Sequence, residues 1–264
     1  MLELKNVKKT FNAGTINEKV ALKGIDLVLN DGDFVTVIGG NGAGKSTLLN
    51  AIAGVWRLDQ GKILLDGHDV TNMPEYKRAK FLGRVFQDPM KGTAGDMQLD
   101  ENLAIAKMRG KRHTLSWGVK KADKKEFASL LAMLDLGLEN RLTSKVGLLS
   151  GGQRQAVTLL MASMNDPKLL LLDEHTAALD PKTAAKVLEI TEKIVNEKKL
   201  TTLMITHNMK DAIKHGNRLI MMHEGRIIID VCGEEKSRLT VEDLLDMFAK
   251  VSNSEFANDR AMLS

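Results

Sequence analysis

The segment Gly39-Gly40-Asn41-Gly42-Ala43-Gly44-Lys45-Ser46-Thr47 satisfies G-x-x-x-x-G-K-[ST], and few strings this short restrict a fold so tightly. Its glycines let backbone N–H groups wrap phosphates, Lys45 is placed to reach the β and γ oxygens, and the Ser46 hydroxyl can hold Mg²⁺. The string works only as the turn between a strand and a helix. Both neighbours are in place: Phe34-Val35-Thr36-Val37-Ile38 is apolar and rich in β-branched residues, and Ser46 to Ala53 reads as a helix stopped by Gly54.

The alternation continues along the chain. Arg84-Val85-Phe86 reads as a short strand leading into Gln87-Asp88-Pro89, and Leu169 to Leu172 is a wholly apolar run ending in Asp173-Glu174, as expected for a strand buried on both faces of a parallel sheet. Asp180 as cap and Pro181 in the first turn start a helix with Ala184, Val187, Leu188, Thr191, Ile194 and Val195 on its inner stripe and a Glu189–Lys193 pair outside. Thr202 to Ile205 forms a strand ending at Thr206-His207, and Arg218 to Met222 pairs with Arg226 to Ile229 as a hairpin about Glu224-Gly225. Strands alternating with helices imply a doubly wound α/β sheet with its ligand at the strands' carboxyl ends. Between residues 89 and 164 helices interrupt the pattern, one of them from Glu126 to Leu136 with Phe127, Leu130, Leu131 and Leu134 on one face and Gly137 as its stop. The expected organisation is one domain over 1–250, with 1–88 and 165–250 as the core, 89–164 as a helical subdomain, and 251–264 as a polar, weakly ordered tail.

Composition narrows the function classes. The chain has 264 residues, 43% hydrophobic and 27% charged, and no segment approaches the roughly 20 apolar residues of a spanning helix. Its first residues lack a secretory-signal pattern. Cys232 is the one cysteine, read as a packed thiol, so no intrachain disulfide forms and a reducing compartment is expected. The net charge of +4 is concentrated between Lys107 and Lys125, where eight Lys and Arg residues face the single acid Asp123 and enclose His113, Leu115 and Trp117. Such a run suits anionic lipid headgroups or a solvated helical face. With 4% aromatic residues a stacking platform is not expected, and no nucleic-acid partner is predicted.

A second string, Leu149-Ser150-Gly151-Gly152-Gln153, opens a helix whose Ser-Gly-Gly start is an anion site in its own right. Together with the P-loop it makes the chain resemble the ATP-binding cassette (ABC) ATPases over about residues 1 to 250. The resemblance implies an α/β P-loop NTPase fold: a RecA-like parallel core, an antiparallel β portion and an inserted helical subdomain. It implies that Gly39 to Thr47 bind ATP, that Asp173 acts on Mg²⁺ through the metal's water shell, and that Glu174 polarises the attacking water. His207 would contact the γ-phosphate, and Gln87 would ligate Mg²⁺ and couple the core to the helical subdomain. Phe11, in Lys8-Lys9-Thr10-Phe11, matches the adenine-stacking aromatic, with a core phenylalanine as the rival reading.

One chain thus carries two phosphate-binding ends and catalytic residues for one nucleotide. In the family a head-to-tail homodimer resolves this, with Ser150, Gly151, Gly152, Gln153 and Asp180 completing the partner's P-loop. Two departures stand out: Gly40 where many relatives have proline, and His175-Thr176-Ala177-Ala178-Leu179-Asp180 in place of the commoner Pro-Thr-Ser-Ala-Leu-Asp. The strings Phe86 to Ala94 and Asp173 to Pro181 resemble a bacterial importer subgroup assigned to tryptophan/tyrosine or related small-solute uptake. The expectation is the ATPase subunit of an importer, peripheral at the cytoplasmic face of the membrane, beneath two permease subunits and served by an extracytoplasmic solute-binding protein. The alternatives are an exporter subunit and a soluble ABC ATPase outside transport, although the long coiled coils and tandem cassettes of such proteins are missing.

Overall fold

The computed structural model describes residues 1–111 and 118–250. The chain opens with β1 (Leu2–Phe11), β2 (Lys19–Leu29) and β3 (Phe34–Gly39), then α1 (Lys45–Ala53), β4 (Gln60–Leu65), β5 (His68–Asp69), α2 (Glu75–Arg78) and β6 (Leu82–Val85). Three helices follow, α3 (Leu99–Lys107), α4 (Lys121–Ala132) and α5 (Gly151–Ser163). The alternation resumes with β7 (Leu169–Asp173), α6 (Pro181–Lys198), β8 (Thr202–Ile205), α7 (Met209–Lys214), β9 (Arg218–His223), β10 (Arg226–Cys232) and α8 (Gly233–Ser237).

Two sheets form. One is antiparallel, in the order β2-β1-β4-β5, and the other runs β10-β9-β3-β8-β7-β6. In the second, β3 pairs parallel with both β8 and β9, and β7 pairs parallel with β6 and β8, while β10 closes the edge antiparallel to β9. Side-chain alternation splits the strands among three buried clusters, and β7 contributes to two of them. Leu169 and Leu171 of β7 join α1 and the antiparallel sheet, whereas Leu170 and Leu172 join α3, α4, α5 and α6 on the opposite face. Every strand core position of β7 is buried, which is why its sequence lacks polar alternation.

Local differences have local causes. The Lys121–Ala132 helix begins earlier and ends earlier than the apolar spacing predicts, because the Asp123 carboxylate in its first turn accepts from the Lys120 N–H at 3.0 Å, and the chain turns at Met133. Phe127, Leu131 and Leu134 are buried as expected, Leu134 just beyond the helix end. In α6 the Lys193 ammonium donates to the Met133 carbonyl at 3.1 Å, and Glu189 pairs with Lys186 instead. Cys232 is exposed, not packed, because it ends an edge strand. Much of the basic run is internally used. Lys107 pairs with Asp123 and Glu126, Lys124 pairs with Asp100, and the Arg109 guanidinium donates to the Ala162 carbonyl. Arg112, His113, Leu115 and Trp117 lie outside the described residues, as does the tail 251–264.

Candidate functional site

The parallel strands aim their carboxyl ends at one place. Strand β3 runs into the glycine-rich loop, whose last residue before α1, Gly44, has φ +101° and packs so closely on the Ala21 carbonyl that a Cβ would sit 2.6 Å from that oxygen. No other residue type fits that turn without strain. The loop's N–H groups and the start of α1 form the floor of a cavity of about 260 Å³, lined by Asn41 to Thr47 together with Phe11, Lys19, Ala21 and Glu174. Lys45 is buried, and its ammonium donates to the Gly39 and Gly40 carbonyls at 2.8 and 3.2 Å. Those bonds fold its side chain back over the loop it belongs to.

Phe11 lies at the end of β1, half-buried, with its ring edge-on to Trp56 at 5.4 Å between centroids. It lines the cavity and belongs to none of the buried core clusters.

Asp173 ends β7 and Glu174 follows it in a left-handed backbone conformation, φ +45°, with its N–H bonded to the Ile205 carbonyl at 3.0 Å. A non-glycine residue in that region is strained, and such strain concentrates at functional sites. Burial pushes the Asp173 carboxyl above its ordinary range, opposed by the Arg84 guanidinium 3.7 Å away. His207, two residues beyond β8, places Nδ1 3.8 Å from a Glu174 carboxylate oxygen. Gln87 sits two residues after β6, exposed, and is not among the residues lining the cavity.

The second phosphate-binding candidate is built elsewhere. Ser150 caps α5: its hydroxyl accepts from the Gln153 N–H at 3.3 Å while the Gln153 side chain accepts from the Ser150 N–H at 3.1 Å. Gly152 is buried against Thr183 of α6, where a Cβ would stand 2.0 Å from the threonine methyl. Asp180 caps α6 by accepting from the Thr183 N–H at 3.1 Å, and hydrogen bonding from the Thr183 side chain together with that N–H holds its carboxyl below the usual range. Thus α5 and α6 begin side by side, with Ser150, Gly151 and Asp180 exposed, and none of these residues lines the P-loop cavity.

Two groups escaped the sequence reading. Arg84, in β6, donates to the Asn50 side chain of α1 at 2.7 Å, lies over the Phe86 ring, and reaches toward Asp173. The visible signal was a cation in an otherwise apolar strand two residues after Leu82. His175, directly after Glu174, is fully buried and hydrogen-bonded to Thr191 of α6 at 3.1 Å, and burial lowers its pKa to about 4.

The family model for the ABC transporter matches residues 22–177. Over 248 residues the chain is 47% identical to a tyrosine transport ATP-binding protein of Clostridioides difficile strain R20291, covering 94% of this chain and 98% of that one. A methionine import ATP-binding protein of Enterococcus faecalis strain ATCC 700802 / V583 is 37% identical over 231 residues, with 86% of this chain spanning 64% of that longer protein. Among solved structures, a dimeric ATP-binding cassette in a post-hydrolysis state bound to ADP and Pi superposes with a TM-score of 0.74 at 30% identity, over 88% of this chain and 98% of that one. The ADP conformation of an ABC transporter's cassette superposes with a TM-score of 0.76 at 29% identity, covering 94% and 98%. With the P-loop, the strained Glu174 and the capped Ser150 helix in one chain, these matches place it in the ABC transporter family, as an ATP-binding, ATP-hydrolysing component.

Proposed function

We propose that the chain is one of two identical ATPase subunits that share their nucleotide sites head to tail and drive import of a small solute through two membrane-spanning permease subunits. One observation carries this reading. The Ser150 helix start, an anion site by its free N–H groups, faces solvent and does not line the cavity that Lys45, Ser46 and Glu174 line. A second copy supplying that helix start would complete a nucleotide's surroundings. The solved relative at 30% identity is described as dimeric, which supports a pairing of two copies.

Within each site Glu174 acts as the general base on the attacking water, with His207 steadying that carboxylate and contacting the γ-phosphate. Lys45 and the loop N–H groups neutralise phosphate charge, and Phe11 stacks on adenine. Ser46, Gln87 and Asp173 offer a hydroxyl, an amide and a carboxylate, all hard oxygen donors suited to Mg²⁺. That donor set fits a metal held chiefly by nucleotide and water, and among the described residues no cluster of three or more His, Cys, Asp or Glu forms a separate metal cage. When bound, the ion would neutralise charge on the transferring phosphoryl group.

Residues 89–164 act as a helical unit that carries the Ser150 end toward the partner, while 1–88 and 165–250 hold the nucleotide. No helix among the described residues is long and apolar enough to cross a membrane. In this reading the permease is another chain, with this one peripheral on its cytoplasmic side. The nearly full-length match to a tyrosine transport ATP-binding protein supports an aromatic amino acid or a related solute as cargo. An extracytoplasmic binding protein would deliver it.

The test is Glu174→Gln. ATP binding should persist while hydrolysis falls by on the order of 10²- to 10⁴-fold, and the protein should accumulate as an ATP-bound dimer. Hydrolysis near the parent rate would remove Glu174 from the role of base.

A further inference from the structure

We infer that His175 is a positioning residue for Glu174, fixing that residue's strained backbone by tying the chain directly after it to Thr191 in α6. The inference rests on the reading of Glu174 as the base. Glu174 holds φ +45°, a conformation that persists only where the surroundings over-determine it. On one side the restraint is visible: the Glu174 N–H is bonded to Ile205 at the end of β8, 3.0 Å away. On the other side the next residue is His175, 2% exposed, with Nε2 3.1 Å from the Thr191 hydroxyl oxygen.

The direction of that bond follows from the threonine. Its hydroxyl donates to the Val187 carbonyl at 2.8 Å, leaving a lone pair toward the ring, so His175 donates from Nε2. Thr191 sits mid-way along α6 among Val187, Leu188, Ile190, Ile194 and Val195, a helix face fixed by core packing. His175 does not line the P-loop cavity, so its ring has no route to the nucleotide there. Burying an imidazole without a chemical task is unfavourable unless its hydrogen bond is used, and here the bond anchors the backbone that aims the Glu174 carboxylate. Glu174 is thereby clamped between β8, which leads to His207, and α6, which begins at Asp180.

The experiment measures ATP affinity and single-turnover hydrolysis for the full chain carrying His175→Leu, His175→Gln or Thr191→Val, each alone and combined with Glu174→Gln. Misaiming a reacting group by a fraction of an ångström to an ångström lowers rate steeply, so His175→Leu and Thr191→Val should each lose about tenfold or more in hydrolysis with ATP affinity unchanged. His175→Gln, which keeps a donor, should restore most of the rate. In the Glu174→Gln background the same substitutions should change the residual rate by less than about twofold, because residues acting as one unit are not additive. Equal losses in both backgrounds, or parent-rate hydrolysis by folded His175→Leu and Thr191→Val, would overturn the inference. Should His175→Leu not fold, the nearly isosteric Thr191→Val decides alone. Undiminished hydrolysis in Glu174→Gln by itself would instead remove the reading beneath it.

Discussion

Phe11 and His175 show how the fold puts single side chains in places that their type alone does not announce. Phe11 presents a ring to the P-loop cavity because β1 ends beside it and Trp56 braces it edge-on. Base–aromatic stacking contributes on the order of 1–3 kcal/mol, so Phe11→Ala should weaken ATP binding roughly 5- to 160-fold in equilibrium titration, and Phe11→Trp should retain it. Unchanged affinity in Phe11→Ala would return the ring to a bracing role. For His175, burial lowers the pKa from 6.5 to about 4, so the folded protein resists a proton that the unfolded chain accepts. Its contribution to stability is complete above pH 6.5 and is lost as pH falls toward 4. Between pH 7 and pH 5 the metal-free chain should lose roughly 2 kcal/mol through this group, and urea unfolding of His175→Gln should show that much less acid sensitivity. The P-loop residues were legible because their chemistry is local in sequence. Arg84 was not, since its partners Asn50 and Asp173 come from α1 and β7 and meet it only once the sheet is assembled.

At the scale of elements, what matters is where α5 and α6 begin. Their starts touch through Gly152 and Thr183, with the capping residues Ser150 and Asp180 both exposed. Gly152→Ala would press a methyl into the Thr183 methyl and should cost about 1–3 kcal/mol in denaturant unfolding, and Thr183→Ser, which removes that methyl, should recover most of the loss. A Gly152→Ala protein as stable as the parent would show that this packing is loose. Strands were easy to read where they were buried on both faces, as Leu169 to Leu172 are, because apolar continuity needs no partner to interpret. Helix α4 starts earlier than apolar spacing predicts because the Asp123 carboxylate, accepting from the Lys120 N–H, marks the start instead. The basic run looked like an outward-facing charge stripe, yet Lys107, Arg109 and Lys124 are spent on Asp123, Glu126, Ala162 and Asp100. Asp123 lies within the run, but Glu126 just beyond it and Asp100 on α3 fall outside a count of residues 107 to 125.

For the whole molecule, the parallel sheet is the organising layer. One face packs on α1 and the antiparallel sheet and the other on α3 to α6, so the P-loop and the Ser150 helix start belong to opposite sides of the same sheet. That division keeps the two ends apart within one chain, so a nucleotide site shared between them, as proposed, needs a second copy. It is tested most directly by mixing two inactive chains. Lys45→Ala ruins the P-loop and spares the Ser150 end, Ser150→Arg does the reverse, and Glu174→Gln in both prevents turnover. If sites form between chains, a mixed dimer unites the two sound halves and should trap about one ATP per dimer. If each chain builds its own site, every site in the mixture contains a ruined half, and ATP retention no greater than in either mutant alone would contradict the shared arrangement.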